Sequence, residues 1–399
     1  MDVVTEVLAH NKGRDPQRLA LKYRAMRDSR FSFLRGTCPL FHARLGRGGA
    51  MKATPLAWCC GDLHLNNFGT YKGDNRLVYF DINDFDEAAL APLSWDLVRL
   101  LASLQLASAE LRLARQDIKT LCDQMIASYA SALAAGKPYW TERETAQMAV
   151  GQLMTALRDR HRPAFLDSRT RLRGRHRQLR CDNGKALPAT DLQRLEVSKF
   201  MVEFAKSRPN PKFFEVIDVA RRVAGTGSLG VERYAILVHG KGSPDGNYLL
   251  DLKRSLPSSL AARVKTPQPL WRSEAERVVS VQERSQAVAA AFLYAVTMNE
   301  QSFILRALHP SEDRVDFGMA QTAPGGLAGL ITTLGQATAW AHLRGAAHKG
   351  AAGPDELQAF GHEKKWRERM TELADEAVIQ LNLDARAYEL AYDEGAFAV

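Results

Sequence analysis

The stretch CGDLHLNN (residues 60–67) is followed by the stretch FDINDFDEA (residues 80–88). The first places Asn67 five positions after Asp62, and Asp84 in the second lies seventeen positions after Asn67. Phosphoryl transfer requires a carboxylate that accepts the proton of the attacking hydroxyl and oxygen ligands that hold Mg²⁺. This spacing therefore predicts a catalytic loop followed by a metal-binding loop.

Turn-forming residues between the two stretches predict a β-hairpin. Gly73, Asp74 and Asn75 separate Tyr71 from the strand-like run 77–80. A separation of this length accommodates two short strands joined by a turn. We therefore expect the catalytic loop and the metal-binding loop to be adjacent in space.

A second signal for phosphate binding lies in the other half of the chain. The run GTGSLG (residues 225–230) is followed by a strand-like run (234–238), a turn rich in Gly, Pro and Asp (240–247), and a strand-like run that ends in Lys253. Glycines let the backbone close over phosphates without interference from a Cβ atom, and a lysine in this position can pair with the α- and β-phosphates. Because a strand rather than a helix follows the glycines, the pattern favours a kinase glycine-rich loop over a dinucleotide-binding fingerprint. The predicted nucleotide-binding residues of this segment are Gly225, Gly227, Ser228, Gly230 and Lys253.

Two positions depart from the usual kinase pattern. The valine expected two places after the last glycine stands one place early, as Val231, and Glu232 occupies its position. The strand before Lys253 also contains Asp251, whose charge is expected to point to solvent.

These motifs resemble those of a known superfamily. GDLH (61–64) with Asn67, DFDEA (84–88) and WDL (95–97) are similar to the catalytic half of the aminoglycoside and choline phosphotransferases, a branch of the protein-kinase-like superfamily. The resemblance implies that Asp96, in the last motif, braces the catalytic loop.

Over residues 20–345, approximately, the chain is also similar to a bacterial family of uncharacterised kinase-like proteins, catalogued as a domain of unknown function. This resemblance implies an architecture more than a substrate. The runs that carry it are FSFLRG (31–36), NDFDE (83–87), WDL (95–97), DVA (218–220), GTGSLG (225–230) and RVV (277–279).

The order of the motifs predicts a circular permutation. In ordinary kinases the glycine-rich loop precedes the catalytic loop, whereas here Asp62 comes about 160 residues before Gly225. Chain termini commonly lie close together at the surface, so a permuted chain can keep the same fold. We therefore expect an α+β, two-lobed, protein-kinase-like fold, circularly permuted, with a small antiparallel-sheet lobe inserted in a mainly helical lobe. The expected parts are residues 1–211, a helical lobe with the catalytic and metal-binding loops and a basic insertion at 158–188; residues 212–315, the nucleotide-binding lobe; and residues 316–399, the remainder of the helical lobe.

The catalytic loop supplies two predicted catalytic residues in addition to the bracing Asp96. Asp62 would act as the general base for the substrate hydroxyl, a contribution of about 10²- to 10⁴-fold in rate. His64 is expected to orient the loop by hydrogen bonding rather than to transfer protons. The alternative interpretation of Asp62 is a turn-capping aspartate.

The predicted metal ligands are Asn67, Asp84 and Asp86. Asp81 competes with Asp84 for this role because both lie near the ends of predicted strands. However, only Asp84 gives the twelve-residue step to Asp96 that occurs in the phosphotransferases that the chain resembles. The alternative for Asn67 and Asp84 is a role as turn residues.

Helical periodicity predicts further elements around the site. Ser94 can cap a helix with leucines at helical spacing between positions 97 and 104. The run 303–308 is predicted to form a strand that leads toward an adenine-binding hinge.

A long helix is also predicted over residues 273–298. By the resemblance, one acidic residue of this helix pairs with Lys253. Glu276, twenty-three positions after Lys253, is preferred to Glu283 for this pair and counts among the nucleotide-binding residues.

Composition is consistent with one large two-lobed domain, because 46% of the 399 residues are hydrophobic. The N-terminal residues lack a signal-peptide pattern, and the longest apolar run (287–298) is too short to span a bilayer. A cytoplasmic location without a membrane partner is therefore expected.

The five cysteines form no C-x-x-C pair and the ten histidines have no zinc-ligand spacing, so neither a disulfide framework nor structural zinc is expected.

The formal net charge of +9 and the pI near 9.3 suit anionic ligands such as nucleotides or nucleic acid. Much of the excess charge is local, and the favoured interpretation is a solvated, mobile insertion. The alternatives are an electropositive lid over a phosphorylated or acidic substrate and an RNA-binding arm. The arginines concerned are Arg158, Arg160, Arg162, Arg169, Arg171, Arg173, Arg175, Arg177 and Arg180.

The leading hypothesis is transfer of a phosphoryl group from ATP, or another nucleoside triphosphate, to a hydroxyl of a small molecule or protein, with Mg²⁺. Nucleotidyl transfer and a regulator that binds nucleotide without turnover are alternatives on the same fold. Asp62-Leu63-His64 also resembles the opening of a two-metal phosphoesterase motif, but the sequence lacks the Gly-Asn-His run of that class. A nucleic-acid-binding protein is the remaining alternative.

Overall fold

A computed structural model describes residues 2–45, 54–146, 148–174, 176–322 and 326–399. Within these residues the protein is a mixed α+β structure with a six-stranded antiparallel sheet and three two-stranded antiparallel pairs. The helices are α1 (Val3–Asn11), α2 (Pro16–Asp28), α3 (Arg30–Gly36), α4 (Cys38–Leu45), α5 (Ser94–Ala107), α6 (Arg115–Ala134), α7 (Met148–Arg158), α8 (Arg162–Arg169), α9 (Asp191–Lys206), α10 (Glu274–Ser285), α11 (Phe317–Thr322), α12 (Gly326–Arg344), α13 (Pro354–His362) and α14 (Lys365–Asp393). The strands are β1 (Leu56–Cys59), β2 (Phe68–Lys72), β3 (Val78–Ile82), β4 (Ala89–Pro92), β5 (Thr170–Arg173), β6 (His176–Leu179), β7 (Ala186–Pro188), β8 (Val216–Arg222), β9 (Arg233–Val238), β10 (Tyr248–Arg254), β11 (Tyr294–Met298) and β12 (Gln301–Ala307).

The six-stranded sheet has the strand order β11-β12-β10-β9-β8-β7. The glycine-rich run 225–230 connects β8 to β9, and the predicted turn 240–247 connects β9 to β10, which carries Lys253. The predicted succession of glycine-rich run, strand, turn, strand and lysine is therefore confirmed.

Helix α9 covers one face of this sheet, and its apolar residues share a buried core with Leu250 and Leu252 of β10. Because side chains alternate across a strand, Asp251 and Lys253 lie on the opposite face. Lys253 contacts Asp86 there, so this face of the sheet is turned toward the loop after β3.

The expectation that Asp251 points to solvent is wrong. Its side chain is fully buried and forms ion pairs with three arginines of neighbouring strands, Arg222, Arg233 and Arg306. The strand register explains this arrangement, because Asp251 lies directly opposite Arg306 of β12. A carboxylate in a central strand is tolerated when nearby cations compensate its charge.

The helix predicted over residues 273–298 ends early. Helix α10 stops at Ser285, and residues 294–298 form β11 instead. Asn299 and Glu300 both have positive φ angles, 50° and 61°, and connect Met298 to its partner in β12. Two consecutive residues with positive φ are typical of the tight turn of a β-hairpin, and this turn fixes the segment as a strand.

The hairpin predicted between the catalytic and metal-binding loops is confirmed. Strands β2 and β3 pair in the register Phe68 to Ile82, so the residues that precede β2 and follow β3 lie side by side. Helix α5, which follows, is almost completely buried. Ser94 begins this helix but does not cap it; Thr54 accepts a hydrogen bond from the Ser94 backbone N–H instead.

The basic segment forms regular structure that packs against the six-stranded sheet, and arginines such as Arg171 and Arg173 remain exposed on its surface. It contains α8 and the β5–β6 hairpin, and β7 pairs with β8 at the edge of the sheet. Several of its arginines are in ion pairs, such as Arg169 with Glu312 and the buried Arg177 with Asp167. Arg175 lies outside the described residues.

Among the helices that the structure describes, none has both the length and the apolar composition needed to cross a bilayer.

Candidate functional site

One cleft between the six-stranded sheet and the helical part of the molecule contains both predicted motifs. A Cβ atom on Gly227 would lie 3.7 Å from Oδ2 of Asp62, so the glycine-rich run lies directly over the catalytic loop. Two segments that are far apart in the sequence therefore face each other across one cavity. Its lining includes Asp62, His64, Asn67, Asp84 and Asp86 from the first half of the chain, and Gly225, Gly227, Ser228 and Lys253 from the second.

The catalytic loop is held by Asp96, at the start of α5. The Asp96 carboxylate accepts hydrogen bonds from the backbone N–H groups of Cys60 (2.8 Å) and Gly61 (3.0 Å). Gly61 has a φ of +83°, and a Cβ atom there would collide with the carbonyl oxygen of Glu87. The structure thus places Asp96 where the resemblance expects a loop brace, against backbone that requires glycine.

The Asp62 carboxylate is paired with Arg99, one turn after Asp96 on α5. Arg99 is fully buried and donates to Oδ1 of Asp62 from Nε, at 2.8 Å, and from Nη2. Burial raises the pKa of Asp62 to about 6, although the positive charge of Arg99 opposes this rise. Since both contacts are to Oδ1, Oδ2 remains on the cleft side.

His64 is buried beside this carboxylate. Its Nδ1 accepts a hydrogen bond from the Asn66 backbone N–H (3.2 Å), and its Nε2 lies 3.9 Å from Oδ2 of Asp62. Burial, together with the nearby charges of Arg35 and Arg99, lowers the pKa of His64 well below its usual value. The neutral ring therefore occupies a position suited to orienting the loop.

Asn67 and Asp84 meet at the open end of the β2–β3 hairpin. The Asn67 side-chain amide donates to the carbonyl oxygen of Asp62 (2.6 Å), and the Asn67 carbonyl accepts from the Asn83 N–H (2.8 Å). Burial disfavours ionisation of Asp84, but nearby cations, chiefly Lys253, outweigh it and lower its pKa. An ionised carboxylate and a side-chain amide oxygen are suitable ligands for Mg²⁺.

Asp81, the competing candidate for the metal, lies outside the cleft lining. Its carboxylate is buried, forms an ion pair with Arg344 (2.9 Å) and accepts a hydrogen bond from the Ala287 N–H. These contacts indicate a structural role for Asp81, which is itself a residue of β3.

Lys253 forms an ion pair with Asp86 on the metal-binding loop. The prediction that Glu276 pairs with Lys253 is wrong, because the Glu276 carboxylate accepts a hydrogen bond from the Arg272 N–H at the start of α10. Burial lowers the pKa of Lys253 to about 8, against the attraction of Asp84. Asp86 thus serves as the acidic partner of the lysine in this structure.

Arg277, another residue of α10, anchors the metal-binding loop. Its guanidinium donates to the carbonyl oxygens of Ala88 (2.6 Å) and Asp86 (2.8 Å). It also forms an ion pair with Glu274. The sequence marked Arg277 as part of a family run but assigned it no role.

The glycine-rich run is clasped by the N-terminal helices. Arg14 donates to the carbonyl oxygen of Gly227 (2.9 Å), and the buried Lys22 donates to the same oxygen (3.3 Å). Gly230, at a φ of +85°, packs so closely on Arg14 that an added Cβ atom would lie 2.8 Å from the Arg14 Cβ. Sequence reasoning missed this clasp, because neither cation belongs to a recognisable motif.

A second cavity continues from the cleft beneath the sheet. It shares Gly225 and Arg314 with the cleft, and its lining includes apolar side chains such as Leu249 and Leu308. Arg169, Arg180 and Lys185 of the basic segment also line it. Its composition suits a flat, largely apolar ring next to a charged group.

The chain belongs to the family described as "Uncharacterized protein conserved in bacteria (DUF2252)", whose sequence model matches residues 14–390. A search of curated proteins found no match, and a search of solved structures found none either.

Proposed function

We propose that this family member is an ATP- and Mg²⁺-dependent phosphotransferase with a circularly permuted, protein-kinase-like fold, and that it phosphorylates a hydroxyl of a small molecule or protein. The observation that carries the proposal is the single cleft in which Gly227 overlies Asp62. Positioning and charge compensation are the main demands of phosphoryl transfer, and the cleft contains the groups for both.

The residues present fit a nucleotide with Mg²⁺. Gly225 has a φ of +70°, and Gly227 has no side chain to occupy the space above Asp62, so the backbone can approach phosphates closely. Asn67 and Asp84 would hold the metal, which would neutralise phosphate charge when bound. The cavity beside Gly225 would take the base against Leu249 and Leu308.

Asp62 would act as the general base through Oδ2. In the transfer, the acceptor hydroxyl oxygen forms a bond to the γ-phosphorus, and the bond from this phosphorus to the β,γ-bridging oxygen breaks. The hydroxyl proton passes to Asp62, which releases it to solvent after the product leaves. Arg99 fixes the orientation of the carboxylate through Oδ1, and His64 restricts the loop.

A pH profile tests the role of Asp62. Because only the ionised carboxylate accepts a proton, and burial raises its pKa to about 6, transfer should be constant at neutral pH and lost in acid. We expect kcat/KM for γ-phosphate transfer to fall about tenfold per pH unit below pH 6. A profile that stays flat to about pH 5, in protein shown to remain folded, would argue against this role.

The first test of the proposal is whether nucleotide binding shifts the melting temperature. ATP with Mg²⁺ should raise the melting temperature of the wild type, by an amount that corresponds to about 2.7 kcal/mol at a hundredfold excess over Kd. Asp84→Asn should remove the Mg²⁺-dependent part, and Lys253→Met should weaken binding with or without Mg²⁺. Asp74→Asn, in the exposed hairpin turn, is the matched control and should respond like the wild type. Equal shifts in all four proteins would oppose the proposed site, and parallel titrations with GTP would identify the preferred base.

Labelled ATP distinguishes phosphotransfer from nucleotidyl transfer and from a regulator without turnover. Label from the γ-phosphate on an acceptor supports phosphotransfer, whereas label from the α-phosphate indicates nucleotidyl transfer. Nucleotide binding without transfer of either label, across acceptor classes, indicates a regulator. The placement of Asp62 beneath the glycine-rich run favours a catalytic role over a regulator, because a positioned base serves an attacking hydroxyl.

Nucleic-acid binding has less support from the basic segment than the sequence suggested. The ion pairs of Arg169 and Arg177 reduce the charge available for phosphates of an RNA or DNA strand.

A further inference from the structure

Two arginines that line the cleft form no ion pair with any residue that the structure describes. Arg35, near the end of α3, and Arg314, after β12, have neither a hydrogen bond nor an ion pair from the guanidinium to any residue that the structure describes. The Nε of Arg35 is also completely shielded from solvent without an acceptor. Burial lowers the pKa of Arg35 to about 10 and also lowers the pKa of Arg314, although both remain cations at neutral pH.

Three other cations near the cleft differ in this respect, whereas Arg254, which also lines the cleft, likewise has no ion pair with any described residue. Arg99 is paired with Asp62, Lys253 with Asp86, and Arg14 donates to the carbonyl oxygen of Gly227. An enclosed guanidinium without an acceptor is unfavourable, because its lost hydration is not replaced. Two such groups in one cleft therefore indicate an anionic ligand.

The two arginines enter the cleft from different elements. The carbonyl oxygen of Arg35 would lie 3.0 Å from a Cβ atom on Gly227, so the end of α3 lies directly against the glycine-rich run. The backbone of Arg314 forms a β-bridge with Gly69. Gly69 is only two residues after Asn67 in the chain. Both arginines line the same cleft as Asp84 of the loop after β3.

We propose that Arg35 and Arg314 form a two-arginine clamp for the terminal phosphates of a polyphosphate ligand. The identification of that ligand as a nucleoside triphosphate rests on the proposed function, whereas the clamp itself requires only the polyphosphate. Guanidinium groups bind phosphate oxygens through paired, charge-assisted hydrogen bonds. During transfer, the clamp would stabilise the charge on the γ-phosphoryl oxygens.

Inorganic tripolyphosphate is the direct probe, because its binding requires neither a base pocket nor turnover. Isothermal titration should show that Arg35→Gln and Arg314→Gln each weaken its binding by about ten- to a hundredfold, as expected for loss of a charged hydrogen bond. Arg35→Lys and Arg314→Lys should be intermediate, because the charge remains and the paired donors are lost. Arg27→Gln, which removes a surface arginine paired with Asp393, should bind as the wild type does.

The melting temperature without ligand distinguishes binding from a structural role. Because neither arginine forms an ion pair with a described residue, and the contact of Arg35 with the ring of Phe31 is long (5.9 Å to its centroid), replacement by glutamine should leave the melting temperature almost unchanged or raise it. A large decrease would identify a structural contact instead and would overturn the clamp.

The outcomes for the clamp and for the proposed function are separable. If the variants bind tripolyphosphate as tightly as the wild type, or if the wild type does not bind it, the clamp is wrong. If tripolyphosphate binding depends on both arginines but no γ-phosphate is transferred from ATP, the clamp holds and the proposed function fails.

Discussion

Asp62→Asn is expected to transfer γ-phosphate about 10²- to 10⁴-fold more slowly than the wild type, with little change in nucleotide affinity. The amide keeps an oxygen for the hydrogen bond from Arg99, but it cannot accept a proton from the acceptor hydroxyl. The loss should therefore appear in kcat rather than in KM for ATP. Single-turnover transfer from γ-labelled ATP measures it once an acceptor has been found; slow hydrolysis of ATP is a substitute readout.

The matched control for this variant is Asp74→Asn, which makes the same chemical change in an exposed turn. Asp62→Asn also removes the negative charge beside the buried Arg99, so it should be less stable than the wild type. Rates must be compared at a temperature where circular dichroism shows both proteins folded. Activity within a factor of about three of the wild type in folded protein would exclude Asp62 as the general base.

Asp251→Asn is expected to destabilise the protein by about 3–5 kcal/mol, because the buried Arg222 and Arg233 and the partly buried Arg306 lose their shared counter-charge. Arg306 also donates to the carbonyl oxygen of Asn83 (3.3 Å), so the cluster connects the sheet to the metal-binding loop. We therefore expect weaker Mg²⁺-dependent nucleotide binding in this variant as a second effect. Urea unfolding measures the first effect, and titration with ATP and Mg²⁺ measures the second.

Glu389→Gln is the control for Asp251→Asn, since Glu389 pairs with Arg30 in a more exposed position. The free energy of unfolding of Glu389→Gln should lie within about 1 kcal/mol of the wild-type value. The three arginines hold the pKa of Asp251 well below its usual range, so its contribution is present at neutral pH and declines as the pH falls below about 4. The stability difference between Asp251→Asn and the wild type should shrink in that range. Equal losses for Asp251→Asn and Glu389→Gln at neutral pH would contradict the assigned role of the cluster.

Local signals allowed much of the site to be predicted from the sequence. The turn residues at 73–75 and the alternating strands around them predicted the hairpin that brings Asn67 beside Asp84. The glycine pattern predicted the connection between β8 and β9. These features depend on residues within one turn or one strand of each other, so a short window of sequence contains them.

The missed contacts depend on residues that meet only in the folded chain. Asp251 is compensated by Arg222 and Arg306, which come from other strands, and spacing alone does not show such a cluster. Lys253 pairs with Asp86 from the first half of the chain rather than with Glu276 from a nearby helix. In contrast, the position of Arg99 could have been predicted from the sequence. Residues three apart on a helix share a face, so Arg99 lies on the same face as Asp96, which was already assigned to the catalytic loop.

The clasp of the glycine-rich run illustrates the same limit. Arg14 and Lys22 precede Gly227 by about two hundred residues, and no motif includes them. The end of α10 was missed for a local reason, because Asn299 is followed by Glu300 rather than by the glycine that usually marks a turn with two positive φ angles.

The central claim is that the two distant motifs form one nucleotide site, and a crystal structure with Mn²⁺ and a non-hydrolysable ATP analogue tests it most directly. The anomalous signal of Mn²⁺ should lie between Asn67 and Asp84, with the phosphates beneath residues 225–230. Nucleotide and metal bound elsewhere on the protein, with this cleft left to solvent, would contradict the claim.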